Sequence, residues 1–189
     1  PRISRRLRQQ RQDLRATIPS TAADAAGFVS AHEYFRLVIL YHVERLKDIH
    51  EELKPLIENH WKEVALNQGT INLNVNWDAF FQMDDDNRLH CSTAREGDKM
   101  VGYFVNIIVP HLHYADHLFS HNDAIYVDPE YRKGFTAWRL IKFAEEQLTI
   151  AGVSVMMINT KMHKPFDRLL QRLNFVGTET IYSKRLGVN

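Results

Sequence analysis

Cysteine is nearly absent: Cys91 stands alone among 189 residues, so no disulfide can form within the chain. No apolar run approaches the roughly 18 residues that span a bilayer, and with the lone cysteine this leads us to expect a reducing, cytoplasmic setting and no membrane partner. Glycine is scarce too, at eight residues. Nowhere does it build the paired-glycine dinucleotide fingerprint or the Gly-Lys-Ser/Thr ending of a Walker loop. The triple aspartate at 84–86 lacks the ligand spacing, central glycine and terminal glutamate of a calcium loop, and is expected to be a solvated turn. The Arg-rich start runs into Ser, Thr, Ala and Asp-rich residues 17–33 instead of an apolar stretch, so no secretion signal is expected.

What is present is ordinary for a globular chain of one domain with an appendage, 44% apolar and 25% charged. The net charge of +1 conceals an asymmetry. Residues 1–16 hold six arginines against one aspartate, and the remainder is net acidic. This arm reads either as a nucleic-acid or acidic-partner contact or, more simply, as a solvated terminus. Residues 17–30 read as a small-residue linker, with Ser30 placed to cap a following helix. From His32 to Leu53 the row Phe35, Ile39, His42, Leu46, Ile49 and Leu53 repeats at heptad spacing and predicts a helix, able either to pack on the domain's own sheet or to make a homodimer contact. Pro55 is expected to end or kink that helix and to start another through Leu56, Ile57, His60, Trp61 and Val64.

A short helix is predicted after Asn76, and residues 88–96 and 99–110 predict a hairpin across Gly97-Asp98. Next comes the histidine-rich stretch 111–122, with His111, His113, His117 and His121 beside Asp116. It has no accompanying glutamate motif or cysteine pair, so a metal is not expected. Residues 123–150 then read as strand, basic turn and long amphipathic helix: Ile125-Tyr126-Val127, a break at Asp128-Pro129, and Ala137, Leu140, Ile141, Ala144 and Leu148 at helical spacing. The turn offers helix N-terminal amides, Arg132, Lys133, Gly134 and the Thr136 hydroxyl, a combination suited to phosphate.

In order, Tyr126-Val127, Asp128-Pro129-Glu130-Tyr131-Arg132, Lys133-Gly134-Phe135-Thr136-Ala137, a long helix, the strand from Val153 to Asn159, a short helix from Pro165 to Leu173, Asn174-Phe175 and a last strand from Thr178 to Leu186 resemble the GNAT family of acetyl-CoA-dependent N-acetyltransferases. Met100-Val101-Gly102-Tyr103 resembles the family's earlier strand, and the likeness is greatest to members met in bacteriophage genomes. Its loop departs from the family pattern, with one residue between Arg132 and Gly134 where two are usual.

The resemblance implies an α/β (α+β) fold, a mixed, mostly antiparallel sheet flanked by helices with an N-terminal helical extension. The implied division is 1–30 arm and linker, 31–54 helix, and 55–189 catalytic domain. It implies transfer of acetyl from acetyl-CoA to a primary amine on a protein lysine, a protein N-terminus or a small molecule. The cofactor would meet Ile125, Tyr126, Val127, Arg132, Lys133, Gly134, Phe135, Thr136, Ala137 and His163. Two-residue alternation puts His121 and Asp123 on one strand face, as a base pair. The early helices imply an acceptor pocket with Glu58, His60, Trp61 and Glu63, bordered by His111, His113 and Tyr114. Leu170 stands in the slot where many members carry a tyrosine that protonates the leaving thiolate, which leaves Tyr182, Tyr114 or His163 as substitutes, or else a non-catalytic CoA-binding or interaction module.

Overall fold

The computed structural model describes residues 38–184 and 186, and the expected arm, linker and helix start before residue 38 lie outside them. The elements run β1 Ile39–Val43, α1 Leu46–Val64, α2 Trp77–Asp85, β2 Leu89–Glu96, β3 Lys99–His111, β4 Tyr114–Val127, a 3-10 turn Pro129–Tyr131, α3 Thr136–Ile150, β5 Val153–Met157 and α4 Asp167–Arg172. Five strands form one sheet in the order β1-β2-β3-β4-β5. All neighbours are antiparallel except β4 and β5. This is the expected mixed, mostly antiparallel sheet with helices on both faces. Among the described residues no helix is long and apolar enough to cross a membrane.

Strand alternation divides the core in two. On one face Cys91, Tyr103, Val105 and Tyr126 pack under Leu46, Ile49 and Leu53 of α1. On the other, Ala94, Val101, Phe104 and Val127 meet Leu140, Ile141 and Ala144 of α3, with Leu170 and Leu173 of α4. The hairpin expected across Gly97-Asp98 forms, Glu96 pairing with Lys99 and Gly97 turning at φ 59°.

The helix expected over 31–54 is corrected. Residues 39–43 are a strand, with Ile39 opposite Glu96 and Val43 opposite Ser92. The run Ile-Leu-Tyr-His-Val suits a pleated, half-buried surface, and its ladder to β2 overrides the heptad spacing. Glu44 then ties the crossover down, its carboxylate accepting from the Thr93 hydroxyl at 2.5 Å and from Arg95 Nε at 2.7 Å. Among the described residues the heptad row is therefore split, with Ile39 and His42 on a strand and Leu46, Ile49 and Leu53 on a helix.

Pro55 does not end α1 either. An internal proline costs roughly 3 kcal/mol. Leu46, Ile49 and Leu53 lie buried on the same helix, each stabilising by about 1.5–3 kcal/mol. The carbonyl deprived of its bond belongs to exposed Glu51, where water can reach it. Asp84 and Asp85 are more than a solvated turn, since they pair with Arg45 and Lys47 and pin α2 to the start of α1. The last strand expected from Thr178 to Leu186 is also absent: residues 176–184 join no ladder, leaving Ile181 and Tyr182 exposed.

Gly102 lies close against β4, opposite Val127. A Cβ there would stand 3.0 Å from the Tyr126 carbonyl oxygen and 3.1 Å from Val127 Cγ2. Gly102→Ala is therefore expected to destabilise the fold by about 1–3 kcal/mol, read as a lower urea midpoint, and an unchanged midpoint would show that the strands part freely.

Candidate functional site

The site begins where two parallel strands separate. β4 and β5 pair from Leu118↔Val153 to His121↔Met157 and no further, so residues 123–127 of β4 have no partner on that side. Asn122 holds the fork, its Oδ1 accepting from the Asn159 amide at 2.6 Å across the gap. On the β3 side the register jumps from Asn106↔Asn122 to Val105↔Ala124, leaving Asp123 as an extra, bulged residue. The fork opens into a cleft of about 870 Å³, walled by the C-terminal part of α1, residues 65–76, the start of α2, the free stretch of β4 and the β5–α4 connection.

One end of the cleft suits a diphosphate. The Asp128 carboxylate accepts from the Glu130 amide at 3.0 Å and turns the chain out of β4. Gly134 follows at φ 111°, a conformation strained for any other residue, with open space where a Cβ would lie. Helix α3 starts with Phe135 as an N-cap that makes no side-chain bond and has no acidic residue in its first turn, so its leading amides are not satisfied by an internal cap. Arg132 turns inward instead: Nε donates to the Val127 carbonyl at 2.7 Å and both terminal nitrogens to the Glu63 carboxylate, at 2.8 and 2.5 Å. It also lies 5.4 Å from the Tyr126 ring. Arg132 thus ties the loop to α1, and its bond holds the Glu63 carboxyl below the usual carboxylate range.

Next to Arg132 the wall is aromatic. His60, Tyr103 and Tyr126 form a ring cluster with centroids 5.4–6.0 Å apart. His60 Nδ1 lies 2.9 Å from the Tyr103 hydroxyl. Burial pushes the His60 pKa down; Glu63 opposes this, and the Arg132 and Lys161 cations reinforce it. Burial drives the Tyr103 phenol far up, so it keeps its proton. Asp123 makes no ion pair or hydrogen bond with a described residue, and desolvation raises its carboxyl pKa. A bulged carboxylate of raised pKa, lining the same cleft as His60, is a group that can accept a proton.

Of the residues expected at the site, Trp61, Asp123, Ile125, Tyr126, Val127, Arg132 and Ala137 line the cleft, together with His60 and Glu63. Lys133, Gly134, Phe135 and Thr136 form the loop and helix start beside it. Others fall elsewhere. His121 is not part of the lining; it stands opposite Ile107 of β3, on the far side of the bulge from the unpaired stretch of β4. His111, His113 and Tyr114 sit at the tip of the β3–β4 hairpin, where the ladder continues to His111↔Tyr114 and His111 stacks on Tyr114 at 4.7 Å, instead of bordering the cleft. Tyr182 is 92% exposed on a segment that forms no strand and is not among the lining residues, although its neighbour Ser183 is. His163 is exposed in a turn, and Asn159 lines the cleft in its stead. Glu58 lies on the exposed side of α1.

Tyr103 and Asn122 are the residues that sequence reasoning missed. Tyr103 meets its partner 43 residues away and Asn122 bridges to position 159, so neither carries a local signal.

A model of the acetyltransferase (GNAT) family matches residues 46–175. Three solved structures are similar in fold. A ribosomal-protein-alanine N-acetyltransferase from Brucella melitensis biovar Abortus 2308 has a TM-score of 0.60 at 20% identity, over 79% of this chain and 100% of its own. An aminoglycoside acetyltransferase from an uncultured soil metagenomic sample, in complex with sisomicin, has a TM-score of 0.62 at 12% identity, over 80% and 97%. A predicted acetyltransferase from Clostridium acetobutylicum, with acetyl-CoA, has a TM-score of 0.60 at 13% identity, over 79% and 97%. No curated protein matches the chain.

Proposed function

The chain belongs to the GNAT acetyltransferase family, and on that footing we propose that it transfers the acetyl group of acetyl-CoA to a primary amine, with Asp123 as the proton acceptor. The observation that carries this reading is the bulged, unpaired Asp123 at the fork of β4 and β5, in a cleft that Arg132 and Ala137 also line, beside the Gly134 loop and the uncapped start of α3.

Acetyl-CoA supplies the acyl group: a C–N bond to the amine forms as the thioester C–S bond breaks and the thiol departs. The residues of the chain do the rest. The Gly134 loop and the leading amides of α3 bind the diphosphate, and the unpaired edge of β4 from Asp123 to Val127 lies along the fork as the wall for the pantetheine arm. Asp123, as carboxylate, takes the amine proton directly or through water. His60 stays neutral at pH 7 and, hydrogen-bonded to Tyr103, holds its ring fixed beside Tyr126. Leu170 is buried in the α4 core, so it donates nothing to the leaving thiol, and a thiolate of ordinary pKa near 8–9 departs without full protonation.

Calorimetric titration with acetyl-CoA, followed by thiol release over a panel of amines, tests the reading. Saturable binding with turnover on at least one amine is expected. Failure to bind acetyl-CoA would overturn it.

A further inference from the structure

We infer that the acceptor is a small primary amine carried on an apolar, preferably aromatic, body with no further positive charge; this rests on the acetyltransferase reading above. The argument comes from the wall facing β4. Helix α2 carries Trp77, Phe80, Phe81 and Met83 on nine residues, yet none of its residues is fully buried. Trp77 and Phe80, which pack against the core under α1, also line the cleft, as do Trp61 of α1 and Leu66, Leu73 and Val75 from the connecting segment. Leu66 is 71% exposed and Leu73 is 37% exposed, so this apolar surface is open to whatever enters. Aromatic and aliphatic walls with few polar groups select an apolar body.

Charge excludes the alternatives. Among the described lining residues only Glu63 and Asp123 are acidic, against Arg132, Lys161 and Lys164. Glu63 is already bound to Arg132 through both oxygens. One carboxylate, Asp123, remains to meet an ammonium. A polycation such as an aminoglycoside or polyamine would bring further charges against an apolar wall and the two lysines, with no carboxylate left to pair them. A basic peptide meets the same obstacle. The remaining polar lining is neutral, supplied by asparagines such as Asn67 and Asn74.

The test compares phenethylamine and tryptamine with spermidine, sisomicin and a lysine peptide, by thiol release on full-length protein already shown to bind acetyl-CoA by calorimetry. The arylalkylamines are expected to have kcat/KM at least about a hundredfold higher than any polycation or the peptide. Leu73→Lys, at a partly exposed position, is expected to raise the arylalkylamine KM about tenfold or more and to leave acetyl-CoA affinity unchanged. Equal or better turnover of the polycations or the peptide would overturn the inference, as would acetyl-CoA binding with turnover of neither class or an unaltered KM in the variant. Absence of acetyl-CoA binding would instead bring down the acetyltransferase reading on which it rests.

Discussion

Asp123→Asn is expected to lower kcat/KM by about 10²–10⁴-fold, the range that a positioned general base contributes. The carboxylate faces the cleft without an ion pair among the described residues, so no other group waits to take its place. The pH profile supplies the sign. Desolvation raises the Asp123 pKa above the ordinary carboxylate value, and only the ionised form accepts a proton. Wild-type activity should therefore rise with pH through that raised pKa, and this acid limb should vanish in the variant. Stability separates catalysis from folding. A carboxyl whose folded pKa lies above its unfolded pKa binds protons more tightly when folded, so its ionisation erodes stability as pH rises through that window. The asparagine variant removes this cost and should be at least as stable as wild type at neutral pH. A variant that loses activity by unfolding, or one that keeps its activity and its acid limb, would refute the assignment.

How far the sequence reaches depends on whether the forces involved are local. The stretch from Tyr126 to Ile150 was legible because its strand, its Asp-Pro break and its helical stripe are each set by neighbours within a few residues, and all three stand where expected. The hairpin at Gly97 was legible for the same reason. Residues 39–43 were not. Their apolar spacing satisfies a helix and a strand alike, and what decides is a ladder to residues 92–96, far along the chain. Position 123 fails in a related way: alternation assumes an unbroken strand, whereas the ladder to β3 leaves an inserted residue there, and of the two only Asp123 lines the cleft. Arg132 shows a third limit. Its type and place read as a phosphate ligand, but Glu63, 69 residues earlier in the chain, turns it into a brace between the loop and α1.

That inward turn of Arg132 leaves the backbone at Gly134 as the main element for the diphosphate, which makes Gly134→Glu the decisive test of the cofactor site. Two effects act there. A side chain at φ 111° costs about 1–3 kcal/mol of backbone strain. A carboxylate held about 4 Å from a phosphate oxygen is repelled by about 4 kcal/mol in surface dielectric. Only the first acts on the apo protein. No described atom lies within 4 Å of the new Cβ, so the fold has room for it. Gly134→Ala carries the strain without the charge and isolates the difference. The glutamate variant is expected to lose acetyl-CoA binding by more than about a hundredfold, since each 1.4 kcal/mol is tenfold in affinity. The alanine variant should lose distinctly less, and both should retain a folded near-ultraviolet spectrum. Calorimetric titration of the three proteins reads this directly. Equal losses would mean that the loop conformation matters and its charge does not, placing the diphosphate away from Gly134, and wild-type affinity in the glutamate variant would remove the loop from the cofactor site altogether.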